Sequence, residues 1–254
     1  MPASPSRYFS GDYPSCPYPT EGQAKSESAR GSRQELVGGT TGWQNGVMQN
    51  PQWLEWARRF QALAQNGLAY CKDPYDRERY EEIQRLAAEM IATSAGLRET
   101  VPILDLFKAE VGYATPKIDV RASVFDRERI LLVRERKDKL WTMPGGWADV
   151  GDSPSVAASR EVKEESGYDV EVRKLVAVYD RDKHGHPPMP YHVYKLFFLC
   201  QLCGGAALDT LETDGVDFFA EDRLPPLSLS RVTPMQVKHM FDHYRNPQWP
   251  TSFD

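Results

Sequence analysis

The spacing of apolar residues changes from a helical period to a strand period partway along the chain. From about residue 50, apolar side chains recur three or four positions apart, which is typical of one face of a helix. The first such stripe comprises Trp53, Trp56, Ala57, Phe60, Leu63 and Ala64. Asn50-Pro51 and Asp73-Pro74 are typical helix starts, because a capping residue precedes proline at the first helical position. With a short third helix from Thr100 to about Phe107, the pattern predicts a helical domain over residues 49–112.

After residue 116 the apolar positions alternate with polar ones. Val120, Ala122 and Val124 show this period of two, and residues 130–133 form a dense apolar run. Both patterns predict strands. Further strands are predicted within residues 172–179, 191–202 and 216–219, and helices begin at Ser153-Pro154 and Thr233-Pro234. Strands before, around and after a central helix predict an α+β domain over residues 116–248, with helices packed on a mixed sheet.

Composition separates a third region and excludes some classes of protein. Residues 1–48 are rich in Ser, Gly, Pro, Thr and Gln, and such a stretch buries too little apolar surface to order, so we expect a disordered leader. The formal net charge is −5, without the basic surplus of a typical nucleic-acid binder. The chain has four cysteines and lacks both a signal pattern and an apolar run of membrane-spanning length. We therefore expect a cytoplasmic protein with no membrane partner.

Three glutamates share one face of the central helix. Glu161, Glu164 and Glu165 stand at i, i+3 and i+4, so their side chains fall within an arc of roughly 100°. Like charges this close repel, and a bound cation removes that repulsion. Carboxylate oxygens suit Mg²⁺ or Mn²⁺, which also bind the oxygens of a diphosphate. A solvated acidic helix face would show the same three residues, so the glutamates alone do not distinguish a metal site from a solvated surface.

The residues around the glutamates make the pattern specific. The segment GWADVGDSPSVAASREVKEESGY places Gly146, Arg160, Glu161, Val162, Glu164, Glu165 and Gly167 at the spacing of the Nudix box, with Tyr168 as its last bulky residue. The chain therefore resembles the Nudix hydrolase family, and the resemblance implies an α/β/α Nudix sandwich. One position departs from the box, because Asp152 stands where the family has a glutamate. We expect this change to tune the site.

The resemblance implies roles for individual residues. It implies that Glu161, Glu164 and Glu165 bind the metal, Mg²⁺ or Mn²⁺, together with the backbone carbonyl of Gly145, and that Glu164, Glu165 and Arg160 serve catalysis. Nudix enzymes often take a further carboxylate from a loop outside the box, as ligand or general base. Glu212 and Asp214 are the candidates here, with Glu212 preferred. Residues assigned to substrate binding are Gly146, Trp147 and Arg121.

The resemblance extends beyond the box. Residues 53–83, 115–125, 140–152 and 191–200 are similar to a group of bacterial Nudix hydrolases with a helical N-terminal domain, and most of all to its CDP-choline pyrophosphatases. This implies hydrolysis of a nucleoside diphosphate linked to a small moiety, with CDP-choline, cut to CMP and phosphocholine, as the leading candidate. The group and the small core of the helical domain both favour a homodimer through the N-terminal helices.

Three alternatives remain open. The substrate could be ADP-ribose or another nucleotide sugar. It could also be the 3′ end of RNA, which a basic face would favour; the basic residues concerned are Arg134, Arg136, Lys137 and Lys139. A non-catalytic ligand sensor is disfavoured, because this box keeps its glutamates. The Cys200–Cys203 pair follows no zinc pattern, and residues three apart on a strand point to opposite faces.

Overall fold

The chain forms two compact units in a computed structural model that describes residues 43–44, 47–48, 50–97 and 99–254. The helical unit contains the described residues before Pro116 together with Pro188–Tyr191. The sheet unit contains Pro116–Pro187 and His192–Asp254. This division gives the predicted α+β fold accompanied by a small all-α N-terminal domain.

The predicted disordered leader, residues 1–48, lies outside the described residues except at two places. There, β1 (Trp43–Gln44) and β2 (Val47–Met48) pair as short antiparallel strands. Within the described ranges, no helix is both long enough and apolar enough to cross a membrane.

Three helices make up the helical unit: α1 (Gln52–Tyr70), α2 (Pro74–Ser94) and α3 (Val101–Lys108). The predicted start of α2 is confirmed, because the Asp73 carboxylate accepts hydrogen bonds from the backbone N–H groups of Tyr75 and Asp76, with Pro74 in the first turn. Alanines let the helices approach closely. The buried core of the unit is Leu54, Ala57, Ala87, Ala88, Ile91, Ala92, Ile103 and Phe107.

Only part of the first apolar stripe of α1 packs into this core. Ala57 and Ala64 are fully buried, as a core stripe requires. Trp56, Phe60 and Leu63 are instead 47%, 45% and 61% exposed. The sequence pattern could not separate these sets, because α1 is apolar over a wider arc than one packing face.

The sheet unit is built around one mixed sheet. In chain order its elements are β3 (Lys117–Asp126), β4 (Arg129–Glu135), β5 (Trp141–Thr142), α4 (Pro154–Ser166), β6 (Tyr168–Asp180), β7 (Val193–Gly205), β8 (Thr213–Ala220), α5 (Pro234–Arg245) and β9 (Ser252–Phe253). In the described part of the chain, this sheet has seven strands. Six of them follow the order β5-β4-β3-β7-β6-β9, and the seventh, β8, pairs with β4. β3 runs parallel to β7, whereas β4 runs antiparallel to β3, β5 and β8.

A loop continues the sheet beside β3. β3 and β4 pair at their shared turn, where Phe125 lies opposite Ile130. Nearer the start of β3, residues 144–148 take the place of a neighbouring strand. The Val120 N–H donates to the Gly146 carbonyl at 2.8 Å, and the Ala122 N–H donates to the Pro144 carbonyl at 2.9 Å. This arrangement anchors the glycine loop, residues 144–148, to the sheet.

One helix covers each face of the sheet. On one face, Ala157, Ala158 and Val162 of α4 pack with the alternating apolar residues of β3. On the other, Met240 and Phe241 of α5 pack in a second cluster of buried residues from the sheet. The layers are therefore α/β/α, as the resemblance implied.

Substituting Phe241 tests the α5 face of the sheet. Phe241→Ala should lower the free energy of unfolding by about 3–5 kcal/mol, because it leaves a cavity in a packed core. Phe241 is fully buried, and its ring lies edge-on to Phe125 with centroids 5.1 Å apart. Urea unfolding followed by circular dichroism measures the change. The control is Met235→Ala on the same helix, where the side chain is 74% exposed; equal losses in the two variants would contradict this packing.

Candidate active site

Local sequence fixes both ends of α4, the helix that carries the three glutamates. The Ser153 hydroxyl accepts a hydrogen bond from the Val156 N–H, and Pro154 occupies the first turn. Gly167 ends the helix at φ +80°, a conformation that favours glycine. A Cβ at Gly167 would also lie 2.4 Å from the Ala206 carbonyl oxygen. The predicted start of the helix at Ser153-Pro154 is confirmed.

The glycine loop lies very close to β3 and to α4. Gly145 has φ +143°, and a Cβ at this position would lie 2.0 Å from the Val120 carbonyl oxygen. A Cβ at Gly146 would lie 3.2 Å from Glu161 Oε2. Because the backbone comes this close, the Gly145 N–H donates to Glu165 Oε2 at 2.9 Å. The loop thus joins the sheet edge to the acidic face of α4.

The three glutamates occupy different environments. Glu165 is buried against the glycine loop, and the Glu161 side chain is 12% exposed beside Gly146. The Glu164 side chain is 58% exposed, and Arg160 Nη1 donates to its Oε2 at 2.9 Å. The structure therefore brings Glu161 and Glu165 to the loop, whereas Arg160 holds Glu164 at the rim.

Burial makes the inner pair of carboxyls hard to ionise together. It raises the pKa of Glu161 to about 7, against the opposing charges of Arg160 and Arg121. Burial and then the Glu161 charge raise the pKa of Glu165 well above its ordinary value. Two neighbouring carboxyls that resist ionising together in this way are suited to a divalent cation, which would stabilise both in the ionised form.

A separate group of side chains, outside the box, lies close enough together to hold a metal ion. Among the residues that the structure describes, Asp180, Asp182 and His192 place three ligand atoms within 4.8 Å of one another. His192 Nε2 lies 3.3 Å from Asp180 Oδ2, which is an ordinary ion-pair distance. Among the described residues, the three box glutamates do not bring three ligand atoms together this closely.

Arg160 organises the outer side of the acidic face. Its Nε donates to Asp152 Oδ2 at 3.0 Å, and its Nη1 donates to Glu161 Oε1 at 3.0 Å. Burial lowers the pKa of Arg160, but the hydrogen bond to Asp152 and the charges of Glu161 and Glu164 raise it above its ordinary value. The shorter side chain of Asp152 therefore still reaches its partner. The structure places Arg160 as a residue that holds carboxylates.

Arg121 lies behind the site and not on its surface. Its side chain has no exposed area, its Nε and Nη2 donate to the two Asp119 carboxylate oxygens at 3.0 and 2.8 Å, and its Nη1 donates to the Met143 carbonyl at 3.1 Å. A direct substrate contact, as the sequence predicted, does not fit this burial. The position instead lets the guanidinium act on Glu165 through its charge.

The two candidates for a further carboxylate are Glu212, in the loop before β8, and Asp214, at the start of β8, and their contacts differ. Asp214 forms ion pairs with Arg134, at 2.9 Å, and with Lys139. The charge of Glu212 contributes to raising the pKa of Glu161. Glu212 is thus the candidate whose charge acts on the site, while Asp214 fastens the loop. Arg136 also binds this loop, since its Nε donates to the Thr210 carbonyl at 2.9 Å.

Thr213 ties the start of β8 to α4. It is fully buried, and its hydroxyl donates to the backbone carbonyl of Glu165 at 2.6 Å. Its N–H and hydroxyl also contact the Thr210 hydroxyl at 3.1 and 3.0 Å. The backbone at Glu212, one residue earlier, is consequently held close to α4, while the Glu212 side chain is exposed.

The sequence reasoning missed a buried charge network beneath the site. Glu135 on β4 is buried and pairs with Arg231 Nε at 2.9 Å, and burial raises its pKa. Asp119 and Lys195 are paired with no exposed surface, and burial lowers the pKa of Lys195 to about 7. The signal was the alternation along β3, which puts Asp119 and Arg121 opposite Val120. That polar face is buried as fully as the apolar one, which the alternation alone could not show.

The structure also locates Trp147, which the resemblance assigned to substrate binding, as well as Tyr179 and the two cysteines of β7. Trp147 is half-buried and bridges to Asp119 on β3. Tyr179 stacks on His184 with ring centroids 3.9 Å apart and packs on the α5 side of the sheet. Cys200 is buried and Cys203 is exposed, as expected for residues on opposite faces of a strand.

Comparison with known families and structures agrees with this geometry. Residues 51–106 match the model of a UDP-X-like, N-terminal oligomerisation domain, and residues 115–237 match the NUDIX domain model. Over 202 residues the chain is 52% identical to YjhB of Bacillus subtilis, named as a proposed ADP-ribose pyrophosphatase. The match covers 80% of this chain and 97% of that protein.

Two solved structures share the fold and a substantial part of the sequence. A UDP-X diphosphatase is 33% identical with a TM-score of 0.53, covering 80% of this chain and 98% of the other. An ADP-ribose pyrophosphatase from Streptococcus suis is 44% identical with a TM-score of 0.51, covering 55% of this chain and 100% of the other. The chain belongs to the Nudix hydrolase family. It is one of the members that carry a helical N-terminal domain ahead of the catalytic domain.

Removing the Thr213 hydroxyl tests whether the loop before β8 is positioned by α4. Thr213→Val keeps the shape of the side chain but breaks the hydrogen bond to the Glu165 carbonyl, so turnover should fall about 10-fold or more, as for other supporting contacts at metal sites. Thr213→Ser keeps the hydroxyl and should retain most activity. Steady-state kinetics on both variants measures this. Turnover by Thr213→Val at the unaltered rate would contradict the assignment.

Proposed function

We propose that this protein hydrolyses the diphosphate bond of a nucleoside diphosphate linked to a second moiety, using a divalent metal ion. The observation that carries the proposal is the buried pair Glu161 and Glu165 against the glycine loop. A solvated acidic helix face, the alternative for these glutamates, would not bury one of them and hold it by a backbone N–H. The retained glutamates also favour catalysis over ligand sensing.

We propose Mg²⁺ or Mn²⁺ as the metal. Glu161 and Glu165 would hold it, with the Gly145 carbonyl beside them and Glu164 available from the rim once Arg160 releases it. All of these are oxygen ligands, which both ions prefer. When bound, such an ion supplies charge stabilisation for the diphosphate and for the leaving phosphate.

Three residues of the chain would then have separate roles in the reaction. Glu212 would accept a proton from the attacking water, since its loop is fastened to α4 through Thr213. Arg160 would keep Glu161 and Glu164 oriented through its paired hydrogen bonds. Arg121 would hold the Met143 carbonyl and thereby the start of the glycine loop.

For the moiety, the relatives favour ADP-ribose or a UDP-linked group over CDP-choline. YjhB and the Streptococcus suis protein are named for ADP-ribose, and the third relative is named for UDP-X. None of these names supports the CDP-choline specificity that the sequence suggested. RNA ends are also less favoured, because Arg134, Arg136 and Lys139 bind the loop before β8. We propose ADP-ribose as the first substrate to examine.

We also propose that the protein assembles as a homodimer through its N-terminal helices. The support is the match of residues 51–106 to a domain described as an oligomerisation domain.

A substrate panel with controlled metal tests the reaction. Purified protein is offered ADP-ribose, UDP-glucose, CDP-choline and a short RNA, each with Mg²⁺, with Mn²⁺, or with excess EDTA. We expect turnover of ADP-ribose or UDP-glucose with either ion and none with EDTA, because the buried carboxylates need a cation to bind diphosphate. Product analysis by chromatography measures each rate. Fastest turnover of CDP-choline would reverse the order of substrates, and turnover in EDTA would exclude the proposed role of the metal.

An isosteric substitution of Glu165 tests whether the carboxylates of α4 bind the metal. Glu165→Gln removes a negative charge yet keeps an oxygen that can accept the Gly145 hydrogen bond, so the fold should persist. Turnover should fall about 100-fold or more, comparable to the loss of one electrostatic group in other active sites. The control is Glu171→Gln, whose exposed side chain pairs with Arg173 at 2.6 Å. Equal turnover by both variants would remove Glu165 from the mechanism.

A further inference from the structure

Glu135, at the end of β4, is a buried carboxylate that lies near the candidate site but outside the box. The residue is 7% exposed, and its Oε1 lies 2.9 Å from Arg231 Nε. Burying a carboxylate costs free energy unless its charge is offset. A surface position would avoid that cost, so the surroundings of Glu135 indicate what the buried charge does.

The backbone around Glu135 is attached to the candidate site. In the pairing of β4 with β8, Glu135 lies opposite Thr213, whose hydroxyl donates to the Glu165 carbonyl at 2.6 Å. The next residue of the chain, Arg136, donates its N–H to the Glu212 carbonyl at 2.9 Å. Glu135 is therefore held beside the segment that joins Glu212 to α4.

The strand is irregular where it brings Glu135 to this position. The pairing of β4 with β8 shifts register between Val133 and Glu135, as at a β-bulge. In a regular strand the two side chains would share a face, whereas a bulge gives a side chain a new direction, and bulges are frequent next to active sites. The Glu135 carboxylate pairs with Arg231, from the segment leading into α5, and its charge acts on Glu165 of α4.

Buried arginines act on Glu135 from two directions. Arg231 pairs with it, and the charge of Arg121 acts on it as well as on Glu165. Asp119 binds Arg121 at 2.8 Å, so Glu135 is the buried acid that offsets Arg231. Electrostatic interactions are stronger in a buried environment than in water. An Arg231 without this partner would therefore oppose a cation held by Glu165.

We propose that Glu135 is a positioning residue of the metal site, whose carboxylate offsets the charge of Arg231 and thereby raises the affinity of Glu161 and Glu165 for a divalent cation. The inference rests on the metal dependence proposed above and extends the site from α4 to β4. Glu135 acts through its charge and not as a ligand, because Arg231 engages its carboxylate.

Titration of the full chain with Mn²⁺ tests the assignment without substrate, since electron paramagnetic resonance measures the free ion. Glu135→Gln keeps the shape of the side chain and removes its charge. The dissociation constant for Mn²⁺ should rise about 10-fold or more, the usual effect of altering a group behind a metal ligand. Glu135→Asp keeps the charge and should bind Mn²⁺ more tightly than Glu135→Gln. Circular dichroism shows whether each variant is folded.

A change of the partner arginine separates charge from packing. Arg231→Gln breaks the same ion pair but removes the opposing positive charge, so it should bind Mn²⁺ at least as tightly as the wild type. If the pair served packing alone, Arg231→Gln and Glu135→Gln would weaken binding equally, and that result would overturn the proposal. This comparison also remains decisive if Glu135→Gln does not fold, with Glu135→Ala in its place.

The matched control is Asp138→Asn. Asp138 shares Arg231 with Glu135, at 3.2 Å, but its side chain is 30% exposed in the turn between β4 and β5. Water already screens its charge, so this variant should bind Mn²⁺ about as the wild type does. Wild-type affinity in Glu135→Gln, or an equal loss in Asp138→Asn, would overturn the role of Glu135.

The readout distinguishes this role from the proposed hydrolysis. A wild type that binds Mn²⁺ with the expected loss in Glu135→Gln, yet turns over none of the substrates in the panel, would contradict the hydrolysis alone. A wild type that hydrolyses ADP-ribose with Mn²⁺, while Glu135→Gln binds the ion equally well, would contradict the role of Glu135 alone.

Discussion

The hydrogen bond from the Gly145 N–H to the Glu165 carboxylate is the contact on which the candidate site depends. It forms because a glycine at φ +143° lets the loop lie against the Val120 carbonyl, closer than any side chain permits. The sheet edge and the C-terminal half of α4 are thereby joined through one peptide group. A carboxyl group buried by this contact keeps an oxygen directed at the loop, where a diphosphate-binding cation would also sit.

Two arginines offset the negative charge of that acidic face in different ways. Arg121 is buried between Asp119 and the Met143 carbonyl, so it offsets the carboxylates from within the protein. Arg160 lies at the rim and bridges Glu161 and Glu164. An inner cation that is locked in place can tune the site, whereas an outer one can change partners when a metal or a substrate arrives. The negative charge of the acidic face is therefore offset both from within the protein and at its rim.

The helical unit and the sheet unit differ in the kinds of side chain that each buries. The sheet unit covers both of its faces with helices and buries charged side chains on its central strands β3 and β7. The helical unit has a small core of alanines, and the aromatic residues of α1 lie outside it. Apolar area left exposed on so small a unit favours association with a partner, which is the property that its family description also records.

Several features were determined by the sequence alone, because each depends on residues close together along the chain. The start of α2 follows from Asp73-Pro74, the two ends of α4 follow from Ser153-Pro154 and Gly167, and the box spacing sets which glutamates share a face. Tertiary structure alone decided what lies far apart in sequence. It buried the polar side of β3, paired Asp119 with Lys195, fastened Asp214 to Arg134, and separated Glu164 from its two neighbours. It also decided which half of the α1 apolar stripe became core. Periodicity specifies a direction for each side chain, but burial and charge pairing depend on which segment packs against it, and that information lies in the other segment.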